Sequence, residues 1–245
     1  LAQSDGSIPA SDLLDLTALG LVADLATLVH DTRYLTQKGI QQLRNTPRLG
    51  LNVLFEQAGI DPQALNESHI GFTIGPRLNS IGRLGDANPI VDFLLTDDSQ
   101  KVSVIANQLE SYNAQRRLLT AQVTQAAEAQ LREEPELLEA PIIIVKHPAW
   151  PAGVLGIAAA RLVERYHKPA VVLATPPGKP AHGSARSVEA VNITAAIARQ
   201  SNLLLNFGGH PMAAGLSLPP ENVSQFNRNL VRTVEELMTT AEEKE

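Results

Sequence analysis

Five stretches of this chain carry residue types that can bind or activate an anion. Gly208-Gly209-His210 puts an imidazole directly after two glycines, between the apolar Leu203–Leu205 and Phe207 and the small run Ala213-Ala214-Gly215. Glycines let the backbone come close to a ligand, so N–H groups and imidazole could converge on a phosphate. A tight turn whose histidine caps a neighbouring element would use the same three residues. Gly183-Ser184-Ala185-Arg186-Ser187 offers two hydroxyls and a guanidinium in five positions. Hydroxyl donors beside a planar fork suit a phosphate, and an edge strand with a surface arginine is the alternative.

The other three stretches follow the same logic. Gly153-Val154-Leu155-Gly156 opens a helical pattern after Trp150-Pro151. It is either an anion-binding helix N-terminus or a place of close helix–strand packing. Asn79 to Arg83 supplies an amide and an arginine around Gly82. Asp24 closes the apolar run Ala18 to Ala23, as a metal ligand or as a solvent-facing carboxylate.

Charge points the same way. The chain of 245 residues has a formal net charge of −6, but Lys146 to Leu216 holds seven basic residues against two acids. That segment is +5, which leaves −11 on the rest, and it holds His147, His167, His182 and His210. A basic stretch within an acidic chain fits an anionic ligand or a solvated basic surface. The absence of cysteine excludes disulfides, Cys-ligated metal centres and thiol catalysis. Apolar runs are too short to cross a bilayer and no secretory leader pattern opens the chain, so a cytoplasmic protein without a membrane partner is expected. The first residue is Leu1, and the only methionines are Met212 and Met238, so a fragment of a longer protein is expected.

The elements that must position these residues fall into two styles. Residues 1–95 read as short helices: an apolar stretch from Leu13 to Leu28, helical spacing over Thr36–Arg44, and Leu49–Gly59 with Gly59 as helix stop. Phe72 to Leu84, punctuated by Gly75-Pro76 and Gly82, reads as a structured loop or strand–turn. From Asp97 to about Glu134, apolar residues at Ile105, Leu109, Tyr112, Leu119, Val123, Ala127 and Leu131 predict one long helix, with Asp97 or Asp98 as N-cap and Pro135 as stop. At ~1.5 Å per residue it would span roughly 57 Å and connect two lobes. Beyond it strands and helices alternate: strands at Ala140–Val145, Pro169–Ala174, Gly183–Val188 and Ala213–Leu218, helices at Gly153–Tyr166, Val191–Arg199 and Glu221–Thr239, and a solvated acidic end over Glu235–Glu245. The expected class is α/β, with two lobes, a bridging helix over 96–138, and a C-terminal lobe over 139–245 built as a mixed sheet flanked by helices.

Taken together, the stretches resemble one family. GFTIGPRLNSIGRL at 71–84 resembles a signature of RecJ-type single-strand DNA exonucleases, and ALGLVADLATL at 18–28 resembles the fourth motif of the DHH phosphoesterase domain. GVLGIAAARLVERYHKPAVVL at 153–173, GSARS at 183–187 and FGGHPMAAGL at 207–216 resemble the DHH-associated domain in order and spacing. The resemblance implies that residues 1–95 end a DHH domain and that a catalytic cleft lies between two lobes. It implies two Mn²⁺ or Mg²⁺ ions that activate water against a phosphodiester, with Asp24 a metal ligand and His210 reaching into the cleft.

It also implies that Ser184 and Arg186 hold the 5′ phosphate of single-stranded DNA and that Arg83 packs at the strand's end. Arg77, Asn79, Gly153, Gly156, Ser187, Gly208 and Gly209 fall in the same substrate-binding motifs. A role in DNA repair and recombination, with repair-protein partners, follows from the family. Three departures stand out. No Asp-His-His tripeptide and no earlier aspartate motif occurs, Pro151 replaces the histidine usual after the tryptophan, and the OB-fold module that often follows is missing. One carboxylate cannot hold two divalent ions, so the chain alone is expected to be inactive. Two other readings share these motifs: a phosphodiesterase acting on oligonucleotides or cyclic dinucleotides, and a non-catalytic nucleic-acid-binding or scaffold module.

Overall fold

A computed structural model describes residues 9–242. The chain divides into two compact units at Arg116/Arg117. In the first unit, α1 (Leu14–Ala23), α2 (His30–Leu43), α3 (Leu49–Gln57), the single turn α4 (Glu67–His69), α5 (Gly75–Leu84) and α6 (Pro89–Leu95) pack together. Their core is Leu43, Leu51, Leu54, Phe55, Ile70, Ile74, Ile81 and Phe93, joined by Val102, Ile105, Ala106 and Leu109 from the start of α7 (Ser99–Glu133). Gly59 ends α3 with φ 65, a left-handed conformation in which glycine carries no Cβ penalty. Asp98 caps α7, its Oδ1 accepting from the N–H groups of Gln100 (2.9 Å) and Lys101 (3.1 Å). Pro135 follows the end of α7, and the short α8 (Glu136–Glu139) comes next.

Two expectations for this unit change. The apolar stretch from Leu13 is helical only to Ala23, and Leu25 beyond it sits exposed at φ 55. Residues 72–84 are helical rather than a loop: a π-helical turn over Ile70–Ile74 runs straight into α5. The glycines and proline concealed this. Pro76 lies in the first turn of α5, where its missing N–H leaves no bond unmade. At Gly75 a Cβ would come within 2.9 Å of the Ile70 carbonyl oxygen, so this glycine permits the tight passage from π turn to helix. Buried Ile70, Ile74 and Ile81 recur at helical spacing.

The second unit is a mixed five-stranded sheet in the order β1-β2-β3-β5-β4, with β1 (Ile143–His147), β2 (Ala170–Ala174), β3 (Ala181–Arg186), β4 (Asn206–His210) and β5 (Ala213–Leu218). Parallel β1 and β2 are joined by α9 (Ala152–Tyr166), the crossover that such pairing requires, and the other pairs are antiparallel. Side chains alternate between faces. Ile143, Val145, Ala170, Val172 and Ala174 meet α9 and Val123, Ala127 and Leu131 of α7. Ile144, Val171, Leu173, Ala185, Leu216 and Leu218 belong to the opposite core with α10 (Ile193–Ala198) and α11 (Val223–Glu242). Gln130 of α7 covers the β1 edge: its Nε2 donates to the Lys146 carbonyl (3.0 Å), and its Oε1 accepts from the Lys146 N–H (3.4 Å).

The first strand starts later than expected because Pro141 precedes it, and β3 ends at Arg186 rather than Val188. Gly208-Gly209-His210, a turn on one of the sequence readings, is part of edge strand β4, and the reversal falls at Pro211-Met212. Helix α11 extends to Glu242, and the last three residues of the acidic end lie outside the described residues. No helix among the described residues is long and apolar enough to cross a membrane.

Candidate nucleic-acid interface

The strand register gathers most of the candidate residues of the second unit on one face. Arg186, Ala213 and His210 are directly opposite one another across β3, β5 and β4, and Ser184, Gly215 and Gly208 form the next row on the same side. Directly opposed antiparallel residues share a face. The β2 partners of Arg186 and Ser184 are Ala170 and Val172, whose side chains lie under α9, so these rows belong to the face that α9 covers. At about 4.8 Å between strands, the Arg186 and His210 backbones stand roughly 10 Å apart.

α9 packs on β2 and β3. Over Gly208 and Gly215 an added Cβ would meet nothing within 4 Å. The result is a shallow floor of Gly208, Ala213 and Gly215, flanked by Ser184 and Arg186 on one side and exposed His210 on the other. Gly209, on the reverse face, has φ 155, and a Cβ there would lie 2.1 Å from the Ala213 carbonyl oxygen. Its role is to let β4 lie this close to β5.

The N-terminus of α9 adjoins this floor through Arg186. A Cβ on Gly156 would lie 2.9 Å from Arg186 Nη2 and 3.4 Å from its Cζ, so the guanidinium rests on the second turn of the helix. Arg186 Nη1 donates to the Ala185 carbonyl at 2.8 Å, which helps fix the fork. The N-cap position of α9 is Pro151, and no side chain makes a cap hydrogen bond there. Gly153 stands in the first turn, where N–H groups and the positive end of the helix dipole favour an anion. His147 lies beside Trp150, the two rings 5.6 Å apart. His147 Nδ1 accepts from the Ala149 N–H at 3.1 Å, which leaves Nε2 as the protonated nitrogen when the ring is neutral.

Ser187 is not part of this face. It is buried, its N–H donates to the Met212 carbonyl (3.0 Å), and its hydroxyl donates to the Val191 carbonyl at 2.6 Å. The hydroxyl holds the loop after β3. Ser187→Ala is expected to cost about 1 kcal/mol of stability by chemical denaturation while leaving any preference for a phosphorylated strand end unchanged. Loss of that preference with unchanged stability would reverse this assignment.

In the first unit, Arg77 is committed internally: it pairs through Nε with Glu110, and its Nη1 donates to the Thr73 carbonyl at 2.9 Å. Asn79 is exposed on α5 and lines a largely apolar groove of about 260 Å³ with Leu16, Leu19, Ala23 and Ile90. Arg83 is exposed in the last turn of α5, the end of a helix that favours a cation.

Asp24 follows α1 as its C-cap residue and is exposed. A carboxylate at that end opposes the helix dipole, and Leu25 next to it holds a positive φ that costs a non-glycine residue of order 1–3 kcal/mol. Both features work against stability. Among the described residues no group of three or more His, Asp or Glu side chains could hold a metal ion. Asp24 and its surroundings therefore do not by themselves fit a divalent cation, which takes about six oxygen ligands.

Sequence reasoning missed Ala213 and Gly215 as floor residues. Their signal was present as a small-residue run, but its pairing with Gly208 and Ser184 is a matter of register.

Residues 139–236, which hold the sheet and its floor, match the model of the DHHA1 domain family. The chain as a whole is homologous to RecJ, the single-stranded-DNA-specific exonuclease. It is 36% identical over 235 residues to RecJ of Bacillus subtilis, covering 96% of this chain and 30% of that protein. To RecJ of Escherichia coli it is 37% identical over 234 residues, covering 92% and 40%. The crystal structure of Thermus thermophilus RecJ in complex with Mn²⁺ superposes with a TM-score of 0.81 at 30% identity, over 94% of this chain and 34% of that one. A second structure of the same protein, with Mg²⁺, gives 0.80. The chain thus spans well under half the length of these relatives.

Proposed function

We propose that this chain is the strand-end-binding part of a metal-dependent 5′→3′ exonuclease acting on single-stranded DNA in repair and recombination. The observation that carries this reading is the shared face of Ser184, Arg186, Gly208 and His210 beside the N-terminus of α9. A terminal phosphate there receives the guanidinium fork of Arg186 and the Ser184 hydroxyl. Gly208 and Gly215 leave room for the sugar–phosphate chain across the floor, and His210 stands at its far side, next to the following phosphodiester. Homology to RecJ supports DNA as the polymer, and the metal-bound structures of relatives support Mn²⁺ or Mg²⁺ in the intact enzyme, with Asp24 as one ligand. Arg77 and Asn79 lie in the same signature segment as Arg83 but on the first unit, where Arg83 meets the strand. The expected compartment is the cytoplasm, and repair proteins are the expected partners.

The test is the affinity of the chain for short single strands bearing a 5′ phosphate or a 5′ hydroxyl, measured by fluorescence anisotropy at two salt concentrations. Tighter binding of the phosphorylated strand, weakening with salt, is expected. Equal affinity for both ends would refute the end-binding role.

Hydrolysis needs ligands beyond Asp24, so the chain alone is expected to release no nucleotides from a labelled single strand with Mn²⁺ or Mg²⁺ present. Sustained metal-dependent degradation by the pure chain would show that the metal site is complete within it.

A further inference from the structure

Gly156 occupies the interior of α9, where glycine is the poorest helix former after proline. Two other helical glycines, Gly39 and Gly50, have an evident packing reason. At Gly39 a Cβ would lie 2.1 Å from the Leu14 carbonyl oxygen, and at Gly50 the same distance from that of Phe93, so backbone would have to move. Gly156 is different. The three atoms nearest its absent Cβ are Nη2, Cζ and Nη1 of Arg186, at 2.9, 3.4 and 3.5 Å. These atoms end a flexible side chain. An alanine fits the fold at this position and is incompatible only with where the guanidinium lies.

The placement has an electrostatic side. A cation over the first turns of a helix sits at the wrong end of the dipole, and it adds its charge to the N–H groups there. An anion between the two relieves both. Glycine thus stands where it weakens the helix and where its one steric effect is to admit a positive group to a positive helix end.

We infer that Gly156 is a positioning residue for end recognition: it seats the Arg186 guanidinium against α9, so that fork and helix N-terminus act on one terminal phosphate. The inference rests on the strand-end reading above and assigns the preference for a phosphorylated end to this contact.

The experiment compares the wild-type chain, Gly156→Ala, Arg186→Ala and the double variant. Each is assayed with a short oligothymidylate carrying a 5′ phosphate or a 5′ hydroxyl, and each is melted. Gly156→Ala is expected to lose the preference for the phosphate by about tenfold, as for a displaced charge-assisted bond. Its affinity for the hydroxyl end changes much less, and its melting temperature does not fall, because alanine is the better helix former. In the Arg186→Ala background the same substitution meets no guanidinium and changes nothing further.

Two results would overturn the inference alone: a Gly156→Ala chain that keeps the wild-type preference while Arg186→Ala loses it, or losses that multiply in the double variant. A wild-type chain with no preference removes the strand-end reading and this inference with it.

Discussion

Arg186→Ala is expected to weaken binding of a 5′-phosphorylated single strand by about 1.5–3 kcal/mol, or roughly ten- to more than a hundredfold. The effect is large because the side chain is half-buried and fixed, with Nη1 on the Ala185 carbonyl and the guanidinium against α9. A preorganised fork loses little freedom on binding, so most of its interaction with phosphate appears as affinity. Arg186→Lys keeps the charge and loses the bidentate geometry, which places it between wild type and alanine. Affinity for a 5′-hydroxyl strand should change much less, since the remaining phosphates contact other groups. Arg228, exposed on α11, is the control: its replacement by alanine should stay within about 0.5 kcal/mol. An Arg186→Ala chain that still distinguishes phosphate from hydroxyl would place the phosphate elsewhere in the molecule.

The candidate site was legible to the extent that its chemistry is local. Ser184 and Arg186 share a strand at a spacing of two, so period-2 alternation alone puts them on one face, and the same period turns Ser187 to the other. The buried Ser187 hydroxyl is thus a consequence that alternation carried and that its place in the motif obscured. The long helix was legible for the same kind of reason, since Asp98, the apolar period and Pro135 are all near in sequence.

What could not be read is register. That Gly208 faces Gly215 and His210 faces Ala213 depends on the pairing of β4 with β5 and β5 with β3. Strand β4 itself gave no sign, because two of its five residues are glycines and none is buried, so neither propensity nor alternation marks it. Helix α5 was hidden by its punctuation. Gly75, Pro76 and Gly82 read as breakers, yet Pro76 falls where a helix accepts it and Gly75 where a side chain would strike the preceding turn.

Arg48→Ala is expected to destabilise the first unit by about 3–5 kcal/mol, the cost of leaving a buried charge without its partner. The Asp15 side chain is 1% exposed, and Arg48 Nε bonds its Oδ2 at 2.7 Å. Thr46 donates to the same oxygen at 3.2 Å, and Arg48 Nη1 reaches the Leu94 carbonyl at 3.1 Å, so one guanidinium ties α1, the α2–α3 loop and α6 together. Without it the carboxylate keeps the Thr46 hydroxyl and the Leu16 N–H but no positive charge. Against a domain stability of about 5–15 kcal/mol this loss is severe, and it should appear as a lower urea midpoint of the helical signal. Replacing both members, Asp15→Leu with Arg48→Met, removes the buried charge as well as its partner and should recover most of the midpoint. If Arg48→Ala alone unfolds at the wild-type urea concentration, water reaches Asp15 and the pair is not buried in solution. If the double variant is as unstable as the single one, the bonds from Arg48 to the Leu94 and Asp12 carbonyls, rather than its charge, hold α1 and α6 in place.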